Sequence, residues 1–439
     1  MIMDAYDVAV IGGGLSGLTS SIYLARAGLS VVLIEKSSQL GGRAATIKKN
    51  GTSLNLGLHA LYKGGAAEEV LQELGITVEG AYAPAKGGMV WDGKLFELPG
   101  SPLSLLKSPL LSPSAKWELT RFVNRLRGID TNALPTISFR EWVEQEIRDS
   151  MIRQLIYAVC RTNTFVPYPE LLLAAPGVRR LQLVFKGNQV LYIDHGWGQL
   201  VDHLQKEAIR TGVTILNRKS ISEIAHDQDK VRQLYFADGE KLETSYVIVT
   251  AGPSETFKMV KNAEHTSLKV WRDRTKPIYA ACLDVALRKL PISNPKRYFT
   301  FFLDRPIFIS TPSVISNASE DGSVIIHACK DIGFGSDHSK NEESQLEEAL
   351  DFIQPGWRNE QVARQFLPKI KVAHDFDSID RIDKSYGPSV PEVYGLYVAG
   401  DWTGRGEVLV DAVFASAKRA AQEVIREYNS MEGRSDLRS

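Results

Sequence analysis

The sequence predicts an α/β fold, in which a Rossmann-type nucleotide-binding domain carries an inserted α+β domain built on a mixed or antiparallel sheet. The first 35 residues follow the order strand, glycine-rich turn, helix and strand, which is the βαβ unit of such domains. Apolar strands that end at a glycine recur at residues 246–252 and 395–401. The strand-rich run of residues 277–330 predicts the second sheet.

The N-terminal elements follow from the local pattern. Tyr6–Ile11 is a short apolar run rich in β-branched residues, typical of a strand buried in a parallel sheet. Apolar residues at helical spacing predict a helix over Leu15–Ala27, and Gly28 is its expected stop. Leu29–Ile34 is then the second buried strand of the unit.

The later elements are predicted in the same way. We expect a strand at residues 213–216 and a hairpin turn around Asp238 and Gly239. Apolar residues at helical spacing predict further helices over residues 115–127, 138–160, 199–211, 346–353 and 410–428.

The domain organisation is expected to be discontinuous. A chain of 439 residues is longer than one ordinary hydrophobic core needs, so we expect two domains. The nucleotide-binding domain is predicted to comprise residues 1–80, 194–270 and 378–430. The substrate domain is predicted to comprise residues 81–193 and 271–377.

The glycine-rich turn matches the dinucleotide motif GxGxxG, with Gly12, Gly14 and Gly17 in its three key places. These glycines allow a tight turn, close approach of a pyrophosphate, and close packing of the helix on the strand. Glu35 follows 18 residues after Gly17, where an acid can accept hydrogen bonds from a ribose. The predicted contact residues in this region are Gly12, Gly14, Leu15, Ser16, Gly17, Glu35 and Lys36.

A second glycine pair, Gly41-Gly42-Arg43, follows this unit, and Thr46 comes three residues after the arginine. A guanidinium at this place is suited to binding phosphate oxygens. With GGGLSG, Glu35 and GGRAAT in this order, the chain resembles the superfamily of FAD-dependent amine oxidases and phytoene desaturases, which includes protoporphyrinogen oxidases.

The resemblance implies bound FAD and further contact residues. We expect the binding to be non-covalent, because no cysteine or histidine lies in a recognisable attachment motif near the C-terminal flavin segment. Gly42 and Arg43 would line the pyrophosphate and ribityl region, and Gly57, Leu58 and His59 would lie beside the flavin ring. The backbone of Ile221 would hold the adenine, and Asp401 in the stretch Leu396–Asp401 would reach the ribityl or phosphate groups. Backbone N–H groups at the start of the last helix would face the flavin O2. The full set that it adds is Gly42, Arg43, Gly57, Leu58, His59, Ile221, Ala251, Gly400, Asp401 and Val410.

The chemistry suggested by the resemblance is the dehydrogenation of a hydrophobic small molecule such as a carotenoid or isoprenoid. Many desaturases of the family carry AGDW near the C-terminus, and this chain has it at residues 399–402. No catalytic residue is assigned, and the two candidates are His59 and Lys276. Amine oxidases place a lysine on a strand near the flavin, whereas Lys276 precedes a predicted strand and is followed by Pro277. The electron acceptor, oxygen or quinone, is left open.

Other functions remain open from the sequence. Oxidation of an amine or of a porphyrinogen-like ring is the first alternative, and isomerisation with FAD but without net redox change is another. A non-catalytic binding protein similar to the GTPase dissociation inhibitors is the third, although those proteins lack the flavin motifs that are intact here.

Composition excludes some classes of function. The chain has 52 basic and 52 acidic residues, so a nucleic-acid partner is not expected. Its three cysteines are widely spaced and its histidines form no ligand cluster, so we expect reduced thiols, no metal site and a cytoplasmic location. The leucine-rich segment 101–114 suggests peripheral contact with a membrane.

Overall fold

The structure, a computed structural model, describes residues 5–187, 190–227, 229–293, 297–319, 322–333, 341–381 and 386–435. Its strands are β1 (Tyr6–Ile11), β2 (Val31–Glu35), β3 (Thr46–Lys49), β4 (Thr52–Asn55), β5 (Leu61–Tyr62), β6 (Gly80–Ala83), β7 (Gly87–Trp91), β8 (Lys94–Glu97), β9 (Val190–Ile193), β10 (Thr214–Asn217), β11 (Ile221–Asp227), β12 (Lys230–Phe236), β13 (Lys241–Val249), β14 (Ile278–Leu287), β15 (Phe299–Phe302), β16 (Ile307–Ser310), β17 (Val324–Asp331), β18 (Gln361–Ala373) and β19 (Leu396–Val398).

The helices are α1 (Leu15–Arg26), α2 (Ala66–Glu73), α3 (Pro102–Lys107), α4 (Pro113–Leu126), α5 (Phe139–Glu146), α6 (Ser150–Thr164), α7 (Ala174–Phe185), α8 (Gly198–Arg210), α9 (Pro253–Met259), α10 (Ser267–Arg274), α11 (Glu342–Ile353), α12 (Trp357–Glu360) and α13 (Val410–Ser435). Within the described residues, no helix has both the length and the apolar character that crossing a bilayer requires.

The first sheet holds the N-terminal βαβ unit and confirms the Rossmann-type prediction. Its strand order is β10-β2-β1-β13-β12-β11, and β19 pairs with β13. Strands β10, β2, β1, β13 and β19 are parallel to one another. Strand β12 pairs antiparallel with both β13 and β11. Because helices cover the parallel part, every residue of β2 is buried.

Helix α1 is buried on almost all sides, because it lies between the sheet, α8 and α13. Its small residues make this possible. Ser20 and Ser21 are buried, and the Ser20 hydroxyl donates to the Ser16 carbonyl at 2.8 Å. The helix ends where predicted, since Gly28 follows it with φ +91°.

The second sheet confirms the predicted mixed sheet of the inserted region. Its strand order is β18-β14-β17-β16-β15-β7-β8, antiparallel except for the β15–β7 pair. One face packs on α4 to α7 in an apolar layer that includes Phe139, Trp142 and Phe301. The opposite face is covered by α11 through Leu346 and Leu350. The domain boundaries themselves stay a prediction.

The single helix predicted over residues 138–160 is wrong, because the structure has two helices there. The backbone of Ile147 is extended, with φ −130° and ψ 125°, and it ends α5. Asp149 then starts α6, since its carboxylate accepts the N–H groups of Met151 and Ile152 at 2.9 and 3.1 Å. An N-cap of this kind satisfies N–H groups that a continuous helix would have paired with carbonyls.

We expect Asp149→Ala to lower the free energy of unfolding by about 0.5–2 kcal/mol, because two N–H groups of α6 lose their acceptor. Asp149→Ser keeps an accepting oxygen and serves as the matched control. Thermal unfolding by circular dichroism measures both variants. Equal melting temperatures for Asp149→Ala and the wild type would contradict the capping role.

Candidate dinucleotide site and adjoining cavity

The glycine-rich turn is shaped by contacts that exclude side chains at two of its positions. Gly12 has φ +107°, a conformation that residues with a side chain rarely adopt. A Cβ added at Gly17 would lie 1.8 Å from the Gly12 carbonyl oxygen, so α1 can approach β1 only with glycine there. These two glycines are therefore required by the fold itself.

Gly14 has no such internal requirement, which makes it informative about a ligand. Its φ is −78°, and an added Cβ would meet only the Gly41 carbonyl oxygen, at 3.9 Å. A Cβ at Gly42 would meet only Gly14 Cα, at 3.8 Å, although the φ of +54° at Gly42 favours glycine by itself. The two glycine segments are joined by a hydrogen bond from Gly41 N–H to the Gly13 carbonyl, at 2.8 Å. The cradle between them fits a pyrophosphate, which needs close approach to bare backbone.

The N-terminus of α1 provides donors for such an anion. No side chain caps it, and its first turn, which begins with Leu15, Ser16 and Gly17, contains no acidic residue. The helix dipole therefore presents partial positive charge at the cradle. Ser16 itself is tied to the last helix, since its hydroxyl donates to the Val413 carbonyl at 3.0 Å.

Glu35 lies at the end of β2 and accepts two backbone hydrogen bonds. Its carboxylate receives the N–H groups of Gly13 and Ser37, each at 2.7 Å. Each oxygen keeps a further lone pair, which can accept a ribose hydroxyl. Lys36, directly after it, is exposed.

Arg43 and Asp401 form a bidentate ion pair between segments 358 residues apart. Arg43 Nη1 and Nη2 lie 2.9 and 3.0 Å from the two carboxylate oxygens of Asp401. His374 donates its backbone N–H to the same carboxylate at 2.7 Å, and its ring Nδ1 lies 3.0 Å away. Burial favours the neutral acid, but Arg43 and His374 outweigh it and hold the pKa of Asp401 well below its usual range. Ionised Asp401 therefore stabilises the folded protein above pH about 4, the pKa of an aspartate in the unfolded chain. This stabilisation is lost as the pH falls through the lowered pKa of the folded state.

The predicted flavin-ring segment, residues 57–59, packs against the second sheet. Gly57 has φ +99°, and a Cβ there would lie 2.4 Å from Ile370 Cδ1 and 3.4 Å from Cys282 Sγ. His59 Nδ1 lies 2.9 Å from the Gly57 carbonyl, and its ring packs on Trp197 at 4.9 Å between centroids. Burial lowers the pKa of His59. Leu58 packs on the edge of the apolar layer beneath the sheet.

A small, partly open cavity adjoins His59. The walls include polar and aromatic side chains: Asn55, His59, Tyr192, Trp197, Ser316 and His327. Its rim is fixed by Thr46, whose hydroxyl accepts the Gly198 N–H and donates to Asn55, both at 2.8 Å. The side-chain oxygen of Asn55 in turn accepts the backbone N–H of Trp197 at 2.9 Å. The Thr46 of the second glycine motif thus shapes the cavity next to the cradle.

The remaining predicted contact residues surround the same end of the first sheet. Gly400 and Asp401 follow β19, and Ala251 follows β13, where its carbonyl accepts the Trp402 indole N–H at 3.1 Å. Val410 begins α13 directly after Leu409, which has φ +55°. Ile221 is the first residue of β11 and its side chain is buried.

Lys276 is not brought to this site by its described contacts. Its ammonium group forms an ion pair with Asp380, and its backbone N–H donates to Asp375 at 2.9 Å. An ammonium held by a carboxylate is a poor candidate for a proton acceptor. The catalytic role considered for Lys276 has no support in this geometry.

Sequence reasoning missed three features of the site. His374 binds Asp401, and Trp197 packs on His59. Cys282 and Cys329, which are far apart in sequence, face each other on β14 and β17 with 3.6 Å between their sulfur atoms. Of these features, only the position of Trp197 was indicated by the sequence. Trp197 lies between Gly196 and Gly198, and a glycine on each side favours a tight loop.

Two glycine variants test which glycine is needed for stability and which for ligand binding. Gly14→Ala is expected to leave stability within about 1 kcal/mol of wild type but to weaken binding of FAD, the predicted cofactor, at least about tenfold. Gly17→Ala is the matched comparison, and its clash with Gly12 should cost about 1–3 kcal/mol or more of stability. Thermal unfolding and titration with FAD measure both effects. Wild-type affinity in Gly14→Ala would contradict the cradle.

Comparison with known proteins agrees with this geometry. Residues 15–270, more than half of the chain, match the family model described as flavin containing amine oxidoreductase. Probable flavin-containing monoamine oxidase A from Dictyostelium discoideum is 28% identical over 167 residues, 36% of this chain and 36% of that protein. The 4,4'-diaponeurosporene oxygenase of Staphylococcus aureus is 23% identical over 331 residues, 67% of this chain and 66% of that protein. Both relatives are therefore matched over less than two thirds of their own length.

Solved structures support the fold over nearly the whole chain. The crystal structure of an oxidoreductase from Methanosarcina mazei is similar with a TM-score of 0.76 at 18% identity, covering 96% of this chain and 100% of that one. The family match and the geometry of the cradle lead to the same conclusion. The chain belongs to the flavin containing amine oxidoreductase family.

Proposed function

We propose that the protein binds FAD without a covalent link and dehydrogenates a hydrophobic small molecule of the isoprenoid or carotenoid class. The observation that carries the proposal is the cradle of Gly14, Gly42 and the α1 N-terminus, continued by the Gly57–His59 segment along the second sheet. A flavin takes up a hydride from substrate carbon and serves as the electron sink. Oxygen or a quinone is the proposed final acceptor of the electrons.

The dinucleotide form of the flavin is supported by the length of the site. The cradle and the ribose-binding position of Glu35 lie at one end, and the Arg43–Asp401 pair follows. FMN would leave the Glu35 position without a ribose to bind, whereas FAD spans both ends. The chain's part is to hold the cofactor and to present its ring to the cavity beside His59.

A hydrophobic substrate is supported by the apolar layer between the second sheet and α4 to α7. Phe165, Leu181 and Phe301 are buried in it, and Leu58 connects the layer to the Gly57–His59 segment. A substrate bound against this layer would gain free energy by burying its apolar surface, and its reacting carbon would be shielded from water. The name of the Staphylococcus aureus relative, 4,4'-diaponeurosporene oxygenase, points to the same substrate class.

Oxidation of an amine is the second candidate, and one observation favours it. Two aromatic side chains, Tyr192 and Trp197, line the cavity beside His59, and aromatic faces attract ammonium groups. The Dictyostelium relative is named as a monoamine oxidase. The ion pair of Lys276 with Asp380 weighs against this candidate, because it keeps that lysine away from the cavity.

The first test is the visible absorption spectrum of the purified protein before and after acid release of its cofactor. We expect two flavin bands and FAD in the released fraction. Anaerobic mixing with a polyene in detergent, with benzylamine and with protoporphyrinogen then shows which compound bleaches the flavin bands. Bleaching by benzylamine alone, with peroxide formed in air, would favour the amine oxidase. A protein that stays colourless after incubation with FAD would refute both candidates.

We also propose that the region of α3 and the start of α4 contacts anionic membranes. Leu103, Leu106 and Trp117 are 61%, 71% and 65% exposed, although they are large and apolar. The Lys116 ammonium joins the two helices by donating to the Leu106 carbonyl at 2.7 Å. Apolar side chains beside basic ones favour the interface of an anionic bilayer. The predicted leucine patch is smaller than expected, since Leu111 is buried.

Co-sedimentation with vesicles of phosphatidylcholine and phosphatidylserine tests this contact. We expect the wild type to bind at low salt and the double variant Leu106→Ser, Trp117→Ser to bind at least about fivefold more weakly, because it loses buried apolar surface. Ile209→Ser, which changes a 57% exposed residue on α8, is the matched control. Absence of binding by the wild type at low salt would refute the proposal.

A further inference from the structure

The inner face of the second sheet carries polar pairs beside the Gly57–His59 segment. His327 and Cys329 alternate along β17 and therefore share one face of the strand. Their cross-strand partners on β14 are Asp284 and Cys282. The rung formed by Cys282 and Cys329 lies against Gly57, since a Cβ at Gly57 would be 3.4 Å from Cys282 Sγ. The pair of Asp284 and His327 is the next pair on this face of the sheet, two residues further along each strand.

The imidazole of His327 is held in one orientation. Its Nδ1 lies 2.6 Å from Asp284 Oδ1, and because a carboxylate can only accept, Nδ1 carries the proton of this bond. Asp284 is fully buried, and its other oxygen accepts the Gln365 amide at 3.0 Å. Gln365 also donates to the Asn55 carbonyl at 2.8 Å. His327 therefore keeps Nε2 as an acceptor, and its ring lines the cavity that it shares with His59.

We propose that His327, oriented by Asp284, accepts the proton that substrate loses during dehydrogenation in this cavity. The inference rests on the proposed function. Dehydrogenation breaks two bonds to hydrogen: one hydrogen leaves with its electron pair as hydride for the flavin, and the other leaves as a proton. The proton goes to His327 Nε2, and the C–H electron pair forms the new double bond. The resulting imidazolium is stabilised by the Asp284 carboxylate.

The neighbouring titratable groups are less suited to this role. They are Asp284 and Cys282 on β14, Cys329 on β17, His59 after β4, and Tyr192 on β9. The hydrogen bond with Cys282, together with burial, raises the pKa of Cys329. Burial lowers the pKa of His59, and the nearby His327 lowers it further, while the His59 ring Nδ1 is held by the Gly57 backbone carbonyl and not by a carboxylate. Burial raises the pKa of Tyr192 to about 12, so that its hydroxyl stays protonated at neutral pH. Asp284 is already engaged by His327 and Gln365.

The test measures proton binding by His327 directly in the FAD-loaded protein. Histidine labelled at Cε1 with ¹³C is followed by NMR from pH 5 to 9, in the oxidised and the photoreduced enzyme, and His327→Gln assigns the signal. We expect His327 to bind the proton at least about threefold more tightly after reduction, because negative charge has been added nearby. Asp284→Asn should weaken proton binding in both states.

The controls separate this role from a structural one. His265→Gln changes an exposed histidine and should leave the His327 titration unchanged. His327→Asn is the second variant for assignment if His327→Gln does not fold. Bound FAD together with a His327 signal that does not titrate, or that titrates equally in both states, would refute the proton acceptor but leave the proposed function intact. Failure to bind FAD would refute the proposed function, and the role of His327 with it.

Discussion

The ion pair between Arg43 and Asp401 is the interaction on which the arrangement of the site depends. It joins the second glycine motif to the segment after β19, and His374 adds the end of β18 through its bonds to Asp401. Arg43 also donates to the Val372 carbonyl at 2.8 Å, which ties the same guanidinium to the second sheet. One charged cluster therefore connects both sheets at the point where the cofactor is expected to pass from its phosphates to its ring.

Close backbone packing is the second constraint, and it has two different causes. Gly12 and Gly17 are needed because α1, β1 and the turn leave no room for a side chain. Gly14 has φ −78° and borders open space instead, so a ligand is the reason for its small size. A glycine motif thus serves the fold at some positions and the ligand at others, and only the backbone angles and contacts in the structure distinguish the two.

The inner surface next to the predicted flavin position combines an apolar layer with a short polar region. In the proposed function the apolar layer would receive the hydrophobic substrate, and the pair of Asp284 and His327 would supply a base where the layer ends. An enzyme that removes a hydride and a proton needs both kinds of surface, since the hydride leaves in a dry pocket and the proton needs an acceptor. The close contact between Cys282 and Gly57 places this base one rung away from the Gly57–His59 segment.

The sequence by itself determined the βαβ unit, the glycine cradle, Glu35 and the family, because these depend on residues close together in the chain and on short-range patterns of apolar spacing. It also indicated the second sheet and the last helix for the same reason. Only the tertiary structure decided that Asp149 divides one predicted helix into two, that Lys276 pairs with Asp380, and that Cys282 and Asp284 face Cys329 and His327. These features arise from contacts between residues distant in sequence, or from a side chain competing for backbone N–H groups, and neither leaves a periodic pattern that a single sequence displays.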